Sequence, residues 1–111
     1  MSLVPADGPA LFVINPNSTA VVTRGIDAAM APLRMAGGPA IECLSLPSGP
    51  PGIQTQQDVD SVAPQLVALA RSLRARAGAF VIACYSDPGL HAVREAVDVP
   101  VLGIMESGVL T

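Results

Sequence analysis

Cys84 is the side chain in this sequence best placed to do chemistry. It closes the longest uninterrupted apolar run, Ala79-Phe80-Val81-Ile82-Ala83-Cys84, and Tyr85-Ser86-Asp87-Pro88-Gly89 follows it. A thiol where a buried strand gives way to a helix start has two readings. The free amides and positive end of a following helix favour a thiolate or a bound anion. Equally, free cysteine is among the residue types most often buried to fill space. Asp87 opposes a thiolate by its charge unless its carboxylate is occupied in capping. A second group is Asn15-Pro16-Asn17-Ser18-Thr19, where Asn15 and Ser18 could donate hydrogen bonds to a carboxylate or amide ligand, or only form a turn and a cap. Glu106, in Met105-Glu106-Ser107-Gly108, either caps a helix or reaches a ligand crevice. His91, four residues before Glu95, reads as a surface residue, and Cys43, within an apolar run, as core. The two cysteines have no CxxC or metal-like spacing, so no metal is expected. There is no GxGxxG and no GxxxxGK[ST], so a bound nucleotide has no support.

The elements around these residues alternate. Leu11-Phe12-Val13-Ile14 reads as a first strand, ended by Asn15-Pro16-Asn17-Ser18, in which Asn17 or Ser18 offers a helix cap. Val22, Ile26, Ala29, Met30 and Leu33 recur at helical spacing and predict a helix over about 19–36, kinked or shortened at Pro32. A second strand covers 40–46, followed by a proline- and glycine-rich loop over 47–56, longer than the usual connection. Val59, Val62, Ala63, Leu66, Leu69, Ala70, Leu73 and Ala77 form the stripe of a second helix. Pro64 suggests that its regular part begins near Ser61, since proline suits a first turn. Residues 79–83 are apolar on both faces and predict a central parallel strand. Asp87-Pro88 predicts a helix start, with a short helix over 89–97, a fourth strand over 99–104 and another helix opening at Met105. The expected fold is α/β: an open parallel sheet with right-handed crossovers and helices on both faces, a flavodoxin-like lobe. Its ligand crevice would lie beyond the carboxyl ends of the strands, where Asn15, Cys84 and Glu106 all fall.

Composition narrows the function. The chain has 111 residues, 50% hydrophobic and 14% charged, which suits one compact domain. Residues 1–10 read as an extension whose first residues fit a cloning remnant, and 11–111 as the lobe. The net charge of −3, with six basic residues that are all arginines, argues against nucleic acid as a partner. Arg71, Arg74 and Arg76 read as a solvated helix face. No apolar run approaches the about twenty residues of a membrane span, and the first nine residues carry no basic, hydrophobic signal. With thiols as the default state of the cysteines, a cytoplasmic protein is expected.

Two segments together carry a family resemblance. Phe12-Val13-Ile14-Asn15-Pro16-Asn17-Ser18-Thr19 resembles the INPN(S/T) start of hydantoin racemases. The run from Ala83-Cys84-Tyr85-Ser86-Asp87-Pro88-Gly89 to Glu95 is similar to their first cysteine motif, and Pro100-Val101-Leu102-Gly103-Ile104 to Glu106 to the strand after it. The family belongs to the aspartate/glutamate racemase superfamily. The resemblance implies cofactor-independent racemisation of a small molecule by two cysteines, one from each of two similar α/β lobes. One thiolate removes the proton from the stereogenic carbon and the other thiol returns a proton from the opposite face. Cys84 matches the first-lobe cysteine, Tyr85 and Ser86 the positions that would hold the adjacent carbonyl, and Asn15 and Pro16 the substrate-binding turn.

The chain departs from that pattern in having no second cysteine motif. The expectation is therefore a first lobe that does not racemise alone, ends within an opening helix, and self-associates through surface meant for a second lobe. Two other readings stay open. One is an allantoin or amino-acid racemase or maleate isomerase of the same superfamily. The other is a non-catalytic flavodoxin-like binding or thiol-sensing domain.

Overall fold

The computed structural model describes residues 8–110. Strands and helices alternate strictly: β1 (Ala10–Asn15), α1 (Ala20–Met30), β2 (Ala40–Ser45), α2 (Gln56–Leu73), β3 (Ala77–Ile82), α3 (Leu90–Ala96), β4 (Val101–Gly103) and α4 (Ile104–Leu110). All pairings are parallel, in the order β2-β1-β3-β4, so β1 and β3 are the inner strands. This is the expected open parallel α/β sheet. Of the expected extension, residues 1–7 lie outside the described residues, and Ala10 already belongs to β1.

Side-chain alternation along the strands separates two faces. Phe12 and Ile14 of β1, Phe80 and Ile82 of β3, and Val101 of β4 point one way. There they meet Val62, Leu66 and Ala70 of α2 and Leu90 and Val93 of α3. The Phe12 and Phe80 rings stack at 5.8 Å between centroids at the centre of this core. On the opposite face lie Val13, Asn15, Cys43 and Ser45. The Asn15 amide reaches Thr23 Oγ1 at 3.0 Å and the Thr23 and Ser45 hydroxyls are 2.6 Å apart, which fixes α1 on this side. α1 covers it incompletely: none of its residues is buried, and Leu102 of β4 is 45% exposed on the same face.

Several boundaries differ from the sequence expectation for identifiable reasons. α1 ends at Met30 rather than near residue 36, shortened as Pro32 allowed, and Pro32 sits in a 3₁₀ turn over Ala31–Leu33. Its N-cap is Thr19; Asn17, expected as a cap along with Ser18, instead accepts the Thr19 amide at 2.9 Å in an Asx turn. α2 begins at Gln56, not near Ser61. Thr55 and Asp58 form a capping box: Thr55 Oγ1 accepts the Asp58 amide at 3.1 Å, and Asp58 Oδ2 accepts the Thr55 and Gln54 amides at 3.0 and 2.9 Å. Pro64 thus stands inside the helix, where it removes a bond to the Asp60 carbonyl; both residues are exposed, so water can take that bond's place. β4 is only Val101–Gly103, because Ile104 already starts α4. The arginines expected on a solvated face have acidic neighbours: Arg74 pairs with Asp98, and Arg76 reaches Glu42 at 2.5 Å while its guanidinium lies 5.2 Å from the Phe12 ring centre.

Candidate active site

The segments after β1, β3 and β4 are consecutive along the carboxyl edge of the sheet, where an open parallel sheet places its ligand crevice. They hold every site residue expected from the sequence.

The Asn15 turn comes first. Asn15 is 1% exposed, and its amide is spent inside the protein. Nδ2 donates to Asn17 Oδ1 at 2.8 Å and to Thr23 Oγ1 at 3.0 Å, and Oδ1 accepts the Asn17 amide at a long 3.4 Å. Pro16 is fully buried beneath the turn. The Leu46 amide donates to the Asn17 carbonyl at 3.0 Å and the Ser18 amide to the Pro50 carbonyl at 2.9 Å. Thr19 Oγ1 donates to the Pro51 carbonyl at 2.6 Å, so the proline-rich loop after β2 is tied to this turn. The Asn15 side chain therefore builds the edge; the half-buried Ser18 lies on it.

The cysteine turn stands beside it. The Ala83 amide donates to the Ile14 carbonyl at 2.8 Å, which carries the β1–β3 pairing up to the residue before Cys84. The chain then turns, and the Asp87 amide closes back on the Cys84 carbonyl at 2.9 Å. Cys84 is a half-buried free thiol with Sγ 3.5 Å from Ser86 Oγ. Ser86 is exposed and Tyr85 is 77% exposed, so both sit at the rim of the turn.

Asp87 caps a helix, but not the one expected. α3 starts from Gly89, at φ 71°, with no side-chain cap. A Cβ at Gly89 would come within 3.1 Å of the Ala63 backbone, so the residue is held to glycine by both conformation and space. The Asp87 carboxylate instead spans to α4, accepting the Met105 amide at 3.0 Å on Oδ1 and the Glu106 amide at 2.8 Å on Oδ2. Gly103 makes room for it, since a Cβ there would overlap the carboxyl group.

Glu106 is not left free. Arg94 of α3 holds it with both terminal nitrogens and also donates from Nε to the Val101 carbonyl at 2.9 Å. The hydrogen bonds from Arg94 hold the Glu106 carboxyl below its usual range. His91 is exposed, as expected.

Cys43 lies elsewhere. It faces α1 in register with Val13 and Val81, two strands across and three residues short of Cys84. Burial pushes its thiol up, with the Asp27 charge adding to this against the nearby Arg34. Among the described residues no group of three or more His, Cys, Asp and Glu side chains converges as a metal site would require. None of the described helices is long and apolar enough to cross a membrane.

Sequence reasoning reached Cys84, Asn15 and Ser86, but not the partners that hold them. Thr23 and Ser45 carry no local motif, and Arg94 and Gly103 lie within the segments of family resemblance with nothing in the sequence to mark what they hold. For Asp87, capping was legible, while its target is a helix 18 residues onward.

Known proteins are similar to this chain in sequence and fold. Residues 11–111 match the Asp/Glu/Hydantoin racemase family. The chain is 41% identical over 98 residues to a hydantoin racemase of Pseudomonas sp. (strain NS671), covering 87% of this chain and 39% of that protein. It is 36% identical over 101 residues to a hydantoin racemase of Paenarthrobacter aurescens, covering 89% and 42%. The allantoin racemase from Klebsiella pneumoniae superposes with a TM-score of 0.80 at 35% identity, over 90% of this chain and 41% of that one. The chain thus spans about two fifths of the length of the curated relatives it matches. It belongs to the Asp/Glu/hydantoin racemase family.

Proposed function

We propose that this chain is the first lobe of a cofactor-independent racemase acting on 5-substituted hydantoins, with Cys84 as one of two proton-transferring cysteines. The observation that carries this reading is the half-buried Cys84 thiol at the carboxyl edge of the sheet, flanked by Ser86 Oγ at 3.5 Å and next to the Asn15 turn. The Cys84 thiolate takes the proton from C5 of one enantiomer, and the electron pair left behind spreads into the adjacent carbonyl. The Tyr85 and Ser86 amides and the Ser86 hydroxyl serve as donors to that oxygen as charge develops on it. Asn15 and Pro16 shape the neighbouring wall, on which Ser18 meets the ring amides, and Glu106 secures α4 through Arg94. A second thiol, from a second lobe of the longer protein, returns a proton to the opposite face; Cys43 is too far round the sheet to do so. The short coverage of the racemase relatives supports this division.

Allantoin is the second substrate reading, favoured by the 0.80 TM-score to an allantoin racemase; it too is a hydantoin ring with a substituent at C5. Polarimetry on the longer protein decides. Loss of optical rotation with 5-alkyl hydantoins, abolished by Cys84→Ala, is expected, and the 111-residue chain alone leaves rotation unchanged. Turnover of allantoin alone would move the assignment to the second reading. Racemisation that survives Cys84→Ala would overturn both.

A further inference from the structure

The one backbone strain among the described non-glycine residues lies in the cysteine turn: Asp87 has φ 46°, in the left-handed region. Two features hold it there. Its amide closes on the Cys84 carbonyl, and its carboxylate forks across the first amides of α4, Met105 and Glu106. The seat for the fork exists because residue 103 has no Cβ. The α4 end is itself fixed, because Arg94 grips Glu106 and the Val101 carbonyl together. A continuous path of bonds therefore runs from α3 through α4 and Asp87 to the residue that carries the thiol.

We infer that Asp87 is a positioning residue, which sets the Cys84 turn at a fixed height above the sheet by clamping it to α4 over Gly103. The inference rests on the reading of Cys84 as the proton-transferring group. Asp87 touches no reacting atom; it acts through the turn. A displacement of about 1 Å at a reacting group can cost about a hundredfold in rate, so a clamp of this kind acts on turnover more than on binding.

The test uses the longer protein with Cys43→Ser. Two independent changes remove the clamp: Asp87→Gly, which keeps the positive φ without strain, and Gly103→Ala, which fills the carboxylate's seat and leaves Asp87 in place. Each is expected to lower kcat for racemisation by about tenfold to a hundredfold with KM within about threefold. The double variant should be no worse than the more severe single one. Asp87→Asn tolerates the same φ and keeps one acceptor, so it should fall between Asp87→Gly and the parent.

Alkylation of Cys84 by iodoacetamide, followed by mass spectrometry, reads the turn without any substrate. Both clamp variants should change its rate by the same factor, at least about threefold. That arm reports on Asp87 even if the longer protein racemises no hydantoin. Parental kcat and alkylation rate in Asp87→Gly would overturn the inference. So would multiplicative losses in the double variant, or a clamp variant that merely unfolds while Asp87→Asn behaves as the parent.

Discussion

Asn15 and Asp87 are polar residues at the candidate site whose side chains turn into the protein. In the sequence Asn15 was open between donating to a ligand and making a turn, and its 1% exposure with bonds to Asn17 and Thr23 resolves the side chain in favour of the turn. Position alone could not decide this, because Thr23 lies on a different element. Removing a buried partner leaves the others unsatisfied, so Asn15→Ala should destabilise the chain by about 1–3 kcal/mol. Urea denaturation checks this, and a midpoint equal to the parent's would contradict it. The place of Cys84 in a turn after β3 was legible because the apolar run before it and the turn residues after it are contiguous. The target of Asp87 was not, because a capping residue is read against the helix that follows it in sequence, while the space above Gly103 exists only once β3 and β4 pair.

The same limit governs whole elements. Strands β1 and β3 were legible from apolar runs; a central place was expected only for residues 79–83, and β1 is the other inner strand. α2 was misjudged at its start because Pro64 was weighed as a first-turn residue, whereas the Thr55–Asp58 capping box outweighs an interior proline on an exposed face. The box makes two connected predictions. Thr55→Ala should cost about 1 kcal/mol of stability. The amides of Gln54 and Thr55 hold the Asp58 carboxyl below its usual range. A carboxyl whose folded value is depressed contributes stability above its unfolded value, and that contribution is lost as pH falls toward the folded value. The loss is expected below about pH 4, the ordinary aspartate range, and Asp58→Asn should flatten it. Thermal unfolding between neutral and acid pH follows both, and an unchanged acid slope in Asp58→Asn would contradict the assignment.

At the scale of the molecule the two sheet faces are unequal. α2 and α3 seal one face around Phe12 and Phe80, whereas α1 leaves Leu102 partly exposed on the other and itself presents Val21 at 66% exposure. The open parallel architecture was legible because alternating strands and helices admit few topologies. How completely each face is covered was not, since that depends on packing between elements far apart in sequence. The carboxyl edge brings Cys84, Ser86 and the Asn15 turn together, while Cys43 sits round the sheet; on the proposed reading the chain supplies one base, on one side of a ligand. The most direct test of that claim is hydrogen exchange in D₂O by the 111-residue chain on each enantiomer of a 5-substituted hydantoin, followed by NMR and chiral chromatography. The account predicts that C5 deuterium enters one enantiomer without inversion, and that Cys84→Ala abolishes it. Inversion by this chain alone, exchange that persists without Cys84, or no exchange above the uncatalysed rate would contradict it.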